Sequence, residues 1–198
     1  MPWLSPITLT GKKMKLVPLE KSHRDEIIAA AADGTLWELW YTSVPSEDTI
    51  DQYIDFALTE QLQDQSLPFV IIDLKTNKVV GATRYCNAEA AHKRLEIGYT
   101  FYSKSVQRTG INTECKFLLL KYAFEVLGCI AVEFRTNSLN RASRAAISRL
   151  GAKQDGILRN HRIDQNGLRR DTVVFSVLEN EWETVKFSLN FEMKRWEK

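Results

Sequence analysis

The sequence predicts one mixed α/β domain, a sheet built largely of hairpins with helices on both faces. Three observations predict it. β-Branched runs and helical patterns follow in the order β, α, α, β, β, β, α, β, α, β, β, α, and hairpins combined with one strand–helix–strand crossover require a mixed sheet. One helix near the middle is apolar nearly all round, as a helix buried by its neighbours must be. No repeat or Gly/Ser linker divides the 198 residues, a length at which one core can bury roughly 70% of the unfolded surface.

The elements follow in order. Met14 to Leu19 reads as a first strand. Ser22 is placed to cap a helix to about Ala32, with Asp25 and Glu26 in its first turn, where the helix dipole favours acids. Leu36 to Tyr41 is a short aromatic segment. Pro45 and Ser46 open a second helix, in which Ile50, Tyr53, Ile54, Ala57, Leu58 and Leu62 fall on one stripe. Phe69–Leu74 and Val79–Tyr85 form a hairpin about Thr76 and Asn77. From Arg94 to Tyr102 the chain alternates, with Leu95, Ile97, Tyr99 and Phe101 on one side and Glu96, Gly98 and Thr100 on the other. A polar loop, Ser103 to Gly110, leads into the apolar helix from about Ile111 to Leu127, stopped by Gly128. Cys129 to Arg135 is a strand, and Asn140 caps a helix to Leu150. Strands near Ala152–His161 and Leu168–Leu178 flank the turn Asp164-Gln165-Asn166-Gly167, and Glu181 to Lys198 reads as helical.

Composition excludes several classes. Lys plus Arg is 27 against 25 Asp plus Glu, a net charge of +2, which argues against a nucleic-acid binder. Cys86, Cys115 and Cys129 are odd in number, form no CxxC pair and have no histidine at metal-ligand spacing, so neither a disulfide framework nor a metal site is expected. No apolar run approaches the ~20 residues that span a bilayer, so no membrane partner is expected. A reducing cytoplasm is the expected compartment. The balanced total hides an asymmetry. Residues 20–65 carry eleven Asp/Glu against two Lys/Arg, and residues 135–170 carry nine Lys/Arg against two Asp/Glu.

The chemistry concentrates in Gln107-Arg108-Thr109-Gly110-Ile111-Asn112-Thr113-Glu114. A helix N-terminus carries unpaired N–H groups and partial positive charge, Gly110 permits close backbone approach, and Lys104 and Arg108 add charge. The set suits a pyrophosphate. Neither GxxxxGK[ST] nor GxGxxG is present, so the loop is not that of a P-loop NTPase or a dinucleotide-binding fold.

The loop resembles the Q/R-x-x-G-x-G/A phosphate loop of the GNAT superfamily of N-acetyltransferases. Leu95-Glu96-Ile97-Gly98-Tyr99 before it, Asn140-Arg141-Ala142-Ser143 and Leu150-Gly151-Ala152 after it, resemble the Rim-type branch, which contains ribosomal-protein N-terminal acetyltransferases. The resemblance spans residues 10–180 and departs at Asn112, where the family favours Gly or Ala. It implies the GNAT fold, a mixed, mostly antiparallel sheet of about seven strands with a central V-shaped splay.

It also implies acetyl-CoA as co-substrate, without a metal. Tyr99, Thr100, Phe101 and Tyr102 would lie along the pantetheine, and the backbone of Gln107, Arg108, Thr109, Gly110, Ile111, Asn112 and Thr113 would hold the pyrophosphate, with Asn140 against the cofactor arm. Glu96 would serve as base. The family's usual acid is a tyrosine near the helix that Asn140 caps, and no Tyr follows Tyr122, so Ser143 takes that role. Trp37, Trp40 and Tyr41 either staple the early helices or wall the acceptor pocket. The implied reaction acetylates a primary amine, on a protein N-terminus or a small molecule, and the acidic segment would favour a cationic acceptor. A module that binds the thioester without turnover is the alternative, and a homodimer is left open.

Overall fold

The computed structural model describes residues 2–164 and 166–196. Gln165 of the expected turn, and Glu197 and Lys198 of the expected C-terminal helix, lie outside the described residues.

The strands are β1 (Leu9–Thr10), β2 (Met14–Pro18), β3 (Leu67–Asp73), β4 (Lys78–Glu89), β5 (Arg94–Tyr102), β6 (Ala131–Asn137), β7 (Lys153–Ile163) and β8 (Arg169–Leu178). They form an eight-stranded sheet in the order β1-β2-β3-β4-β5-β6-β8-β7. The strand beyond the expected seven is the two-residue β1, which pairs Leu9 with Leu16 and Thr10 with Lys15. Every neighbouring pair is antiparallel except β5 with β6. That exception follows from the crossover helix between them, since parallel neighbours need a long connection.

The helices are α1 (Arg24–Ala32), α2 (Ile50–Leu62), α3 (Ile111–Glu125), α4 (Arg141–Arg149) and α5 (Trp182–Arg195). α1 and α2 bury Ile27, Ala31, Ile50, Ile54 and Ala57 against Val70, Val79, Ala82 and Phe101. α3 and α5 close the other face, where Cys115, Leu119, Leu120, Ala123, Val185 and Leu189 meet Leu16, Phe69, Ile71, Tyr85, Leu95 and Ile97. The Tyr85 hydroxyl donates to the Leu119 carbonyl at 2.6 Å, tying β4 to α3. No helix among the described residues is long and apolar enough to cross a membrane.

Several local expectations are corrected. Ser22 does not cap α1. A 3₁₀ turn, Lys21–His23, precedes that helix, with Glu20 and His23 bonding reciprocally across it. α2 starts at Ile50 rather than at Pro45, because a turn from Ser46 to Thr49 comes first. The strict alternation along β5 fails at Tyr99. There the register against β4 passes from Arg84↔Gly98 to Ala82↔Phe101, so Tyr99 and Thr100 oppose one residue, Thr83. Tyr99 adopts φ +51°. This bulge re-aims the side chains beyond it. Leu95 and Ile97 face α3, whereas Phe101 packs with α1 and α2.

Candidate active site

β5 and β6 are paired only at Arg94↔Ala131, Leu95↔Val132 and Glu96↔Glu133. Beyond that rung β5 continues to Tyr102 and β6 to Asn137 with no pairing between them, which leaves a fork in the middle of the sheet. Glu96 sits at its apex, and Tyr99 to Tyr102 line its β5 arm.

The loop below the fork is rigidly laid out. Lys104 N–H donates to the Asp33 carbonyl and Ser105 N–H to the Asp33 carboxylate. The Gln107 side-chain amide donates to the Tyr102 carbonyl at 3.0 Å, and the Thr109 hydroxyl to the Val106 carbonyl at 2.6 Å. The first of these bonds that α3 makes across its start is Glu114 N–H to the Gly110 carbonyl. The N–H groups of residues 108–113 find no acceptor among the described residues. Six consecutive donors without an acceptor among the described residues, at the positive end of a fifteen-residue helix, have the chemistry of an anion cradle.

Gly110 is required there for two reasons. Its φ is +93°, and a Cβ would stand 2.8 Å from Trp196 Cγ. Trp196, just beyond the end of α5, therefore buttresses the cradle from behind. Glu114 does the same from the side. Its carboxylate accepts from the backbone N–H groups of Lys12 and Lys13 at 2.7 and 2.9 Å. That contact brings Lys13 to the loop, where its ammonium donates to the carbonyls of Thr109 and Trp196. The sequence reading missed Lys13, which is almost a hundred residues away in the chain.

Glu96 is 8% exposed. Its Oε2 accepts from Asn87 Nδ2 at 2.7 Å and lies 3.6 Å from Arg135 Nε. Burial raises its pKa above the ordinary carboxylate value, against the opposing pull of Asn87, Arg135 and Arg162. Arg135 also donates to Glu133 at 2.9 and 3.1 Å, and Arg94 donates to the other Glu133 oxygen. A cleft of about 670 Å³ opens beside this network, lined in part by Glu89, His92, Arg94, Glu133 and Arg135. Glu133 and Arg135 were not foreseen from the sequence, because only the register across the crossover places them beside Glu96.

The remaining candidates separate. Asn140 Oδ1 accepts from Ser143 N–H at 2.9 Å, so Asn140 caps α4 and Ser143 is half-buried in its first turn. Asn112 is half-buried in the first turn of α3. Trp37 packs on the α1–α2 core, which is the stapling role, while Trp40 is exposed and meets Tyr41 edge-on at 5.5 Å. His161 lies in β7 with Nδ1 3.0 Å from the Thr172 hydroxyl. On the α3 side of β5 the sequence reading also passed over Lys116. It is 5% exposed, donates to the Thr100 and Thr83 hydroxyls at 2.6 and 3.2 Å, and has its pKa pushed down to about 8 by burial.

Residues 13–153 match the family described as Acetyltransferase (GNAT) domain. The chain belongs to the GNAT family. Among curated GNAT relatives, the Bacillus subtilis protein named "Putative ribosomal N-acetyltransferase YdaF" is 34% identical over 100 residues, or 50% of this chain and 54% of that protein. The aligned stretch thus spans about half the length of that relative. The uncharacterized N-acetyltransferase YoaA of the same organism is 28% identical over 142 residues, covering 70% of this chain and 78% of that one. A crystal structure of a GCN5-related N-acetyltransferase from Brucella melitensis superposes with a TM-score of 0.85 at 30% identity, over 97% of this chain and 87% of that chain. The forked mixed sheet is therefore the GNAT fold, and the Rim-type character of the loop agrees with the first relative's name.

Proposed function

We propose that this GNAT chain is an acetyl-CoA-dependent N-acetyltransferase acting on a primary amine by direct attack. The observation that carries the reading is the run of six open N–H groups at the α3 N-terminus, below a fork whose apex holds a buried carboxylate. Residues 107–113, with Lys13, Lys104 and Arg108 nearby, would hold the pyrophosphate, and the β5 arm from Tyr99 to Tyr102 would flank the pantetheine. Asn140, at the start of α4, would stand beside the same arm.

The acetyl thioester supplies an electrophilic carbonyl. At neutral pH the acceptor arrives as an ammonium ion and must lose a proton before its nitrogen can attack. Glu96 is the group that takes it, directly or through one water. Its raised pKa brings it closer to neutrality than a solvated carboxylate, which suits a base. As the C–N bond forms the C–S bond breaks; the nitrogen gives its second proton to solvent, and the departing thiolate is protonated by solvent, directly or through Ser143, which regains its proton from solvent.

The acceptor is proposed to be a protein N-terminus or a small amine; the Bacillus relative, named "Putative ribosomal N-acetyltransferase YdaF", favours the first. The acidic 20–65 segment would raise the local concentration of a cationic acceptor. Arg24 pairs with Asp25, Glu47 and Asp51, and Lys21 pairs with Asp55. Both cations are already in the count, so nine acidic charges of the segment stay uncompensated within it. Cys86, Cys115 and Cys129 are free and buried, which accords with a reducing compartment, and the cytoplasm is the proposed one. Thiol release from acetyl-CoA, measured with and without a panel of peptides, polyamines, aminosugars and amino acids, tests the reading. Amine-dependent release supports it. Tight acetyl-CoA binding with no release by any amine would leave a ligand-binding module instead.

A further inference from the structure

Arg84, on β4, has no exposed surface and is the most deeply buried charged side chain among the described residues. None of its Nε, Nη1 and Nη2 atoms has a hydrogen-bond partner among the described residues. Three rings surround its guanidinium instead. The Tyr99 centroid lies at 4.0 Å, that of Tyr53 at 4.8 Å and that of Phe56 at 5.8 Å. Aromatic faces stabilise the charge through their quadrupoles. They do not accept the five N–H groups, which project in the guanidinium plane as a fork shaped for a carboxylate. Leaving such donors unpaired in a buried site is costly.

The position is as specific as the chemistry. Arg84 stands opposite Gly98, and Cys86 stands opposite Glu96. Residues two apart on a strand share a face, with Cα atoms separated by about 7 Å. Arg84, Cys86 and Glu96 therefore line one face of the sheet, and Cys86 lies between the other two. A Cβ at Gly98 would stand 3.0 Å from both Cys86 Sγ and Glu96 Oε1, so the glycine keeps the floor between Arg84 and Glu96 low. The outer wall consists of Phe56 and Tyr99, tilted rings 6.3 Å apart that are 47% and 38% exposed. Tyr99 is held there by the positive φ of the bulge, the kind of local strain that collects at working sites. Glu60, one helical turn beyond Phe56, influences both Tyr99 and Cys86 electrostatically but makes no bond to Arg84.

We propose that Arg84 anchors a carboxylate carried by the amine acceptor, which places the acceptor's amine toward Glu96; this rests on the acetyl-transfer reading above. The substrate class is an amine with a carboxylate a few bonds away. Phe56 and Tyr99 part to admit it, and the acceptor completes the fork with two parallel N–H···O bonds. The ammonium and the carboxylate then answer different groups, the first Glu96 and the second Arg84. The carboxylate has two sources, the α-carboxylate of a free amino acid or the side chain of an acidic N-terminal residue.

The test uses the wild-type protein with acetyl-CoA and matched acceptor pairs. One arm compares free amino acids with their α-amides. The other compares dipeptide amides beginning with Asp or Glu with those beginning with Asn or Gln. In one arm kcat/KM should favour the carboxylate member by about 10–100-fold, the usual worth of hydrogen bonds to a charged group. In a folded Arg84→Gln protein that ratio should fall to near one. Equal rates within every pair, or a preference that survives Arg84→Gln, overturns the proposal and leaves acetyl transfer standing. No transfer to any acceptor overturns both. If Arg84→Gln does not fold, the wild-type ratios alone decide.

Discussion

Glu96 and Glu133 stand opposite each other on the last rung that joins β5 to β6. Two carboxylates in that position repel, and both are 8% exposed. Arg135 resolves the conflict by bonding Glu133 and approaching Glu96 at 3.6 Å, while Arg94 takes the second Glu133 oxygen. The arrangement is unequal. Glu133 is bonded by two guanidinium groups, whereas Glu96 keeps one hydrogen bond from Asn87 and a raised pKa. The acid facing the fork is thus the one left free to exchange a proton.

Replacing Glu96 by Gln should lower kcat by about 10²-fold or more, with acetyl-CoA affinity by calorimetry nearly unchanged. Stability should not fall with it. A carboxylate whose folded pKa is raised contributes stability that is present at low pH and lost as pH rises through the folded value. The permanently neutral Gln escapes that loss, so at pH 7–8 the variant should melt no lower than wild type. Wild-type turnover across pH 6 to 9 would move the base elsewhere.

Arg135→Gln tests the electrostatic link. Arg135 lowers the Glu96 pKa, so its removal should shift the acid limb of kcat/KM to higher pH. The same change weakens the hold on Glu133 and should cost about 1–2 kcal/mol of stability. An unmoved acid limb would show that Glu96 does not set it.

Lys116 offers a pH-dependent stability signature. Its folded pKa is about 8, below the usual 10.5, because burial penalises the ammonium. A depressed lysine contributes stability that is present above pH 10.5 and lost as pH falls through 8. Lys116→Met should therefore be more stable than wild type at pH 7, by no more than about 3 kcal/mol. The gap should narrow between pH 8 and 10.5 in denaturant titrations. A constant gap would mean that the bonds to Thr83 and Thr100 hold the ammonium charged at no cost.

Glu114→Ala should act at a distance. It leaves the N–H groups of Lys12 and Lys13 without their acceptor and frees Lys13 from the loop. Acetyl-CoA affinity should drop severalfold and stability by about 1–3 kcal/mol. Glu114→Gln, which retains one acceptor, should lose less of both. Equal effects of the two substitutions would point to packing rather than to this bond.

Much of the architecture was legible because its signals are local. Hairpins, the Asn140 cap and the apolar α3 all show in spacing, and the glycine at the start of α3 marks the loop. What escaped depends on register. Alternation through Tyr99 is broken by a bulge that no residue type announces, so the ring expected on the side of Leu95 and Ile97 covers Arg84 instead. Glu133, Arg135 and Lys13 are ordinary charged residues in the sequence, and they reach the site only across the crossover or from a distant turn. Gly110 was legible as a glycine, but half of its reason, the Trp196 ring behind it, was not.

That packing makes Gly110→Asp an ambiguous probe, since it would disturb Trp196 as well as any phosphate. The most direct test of the central claim is amide hydrogen exchange on the intact protein with and without acetyl-CoA. Saturating acetyl-CoA should slow exchange most strongly at residues 108–113, the six N–H groups that the fold leaves open at the α3 N-terminus. Binding of acetyl-CoA without protection of those amides, or no binding at all, would contradict the account.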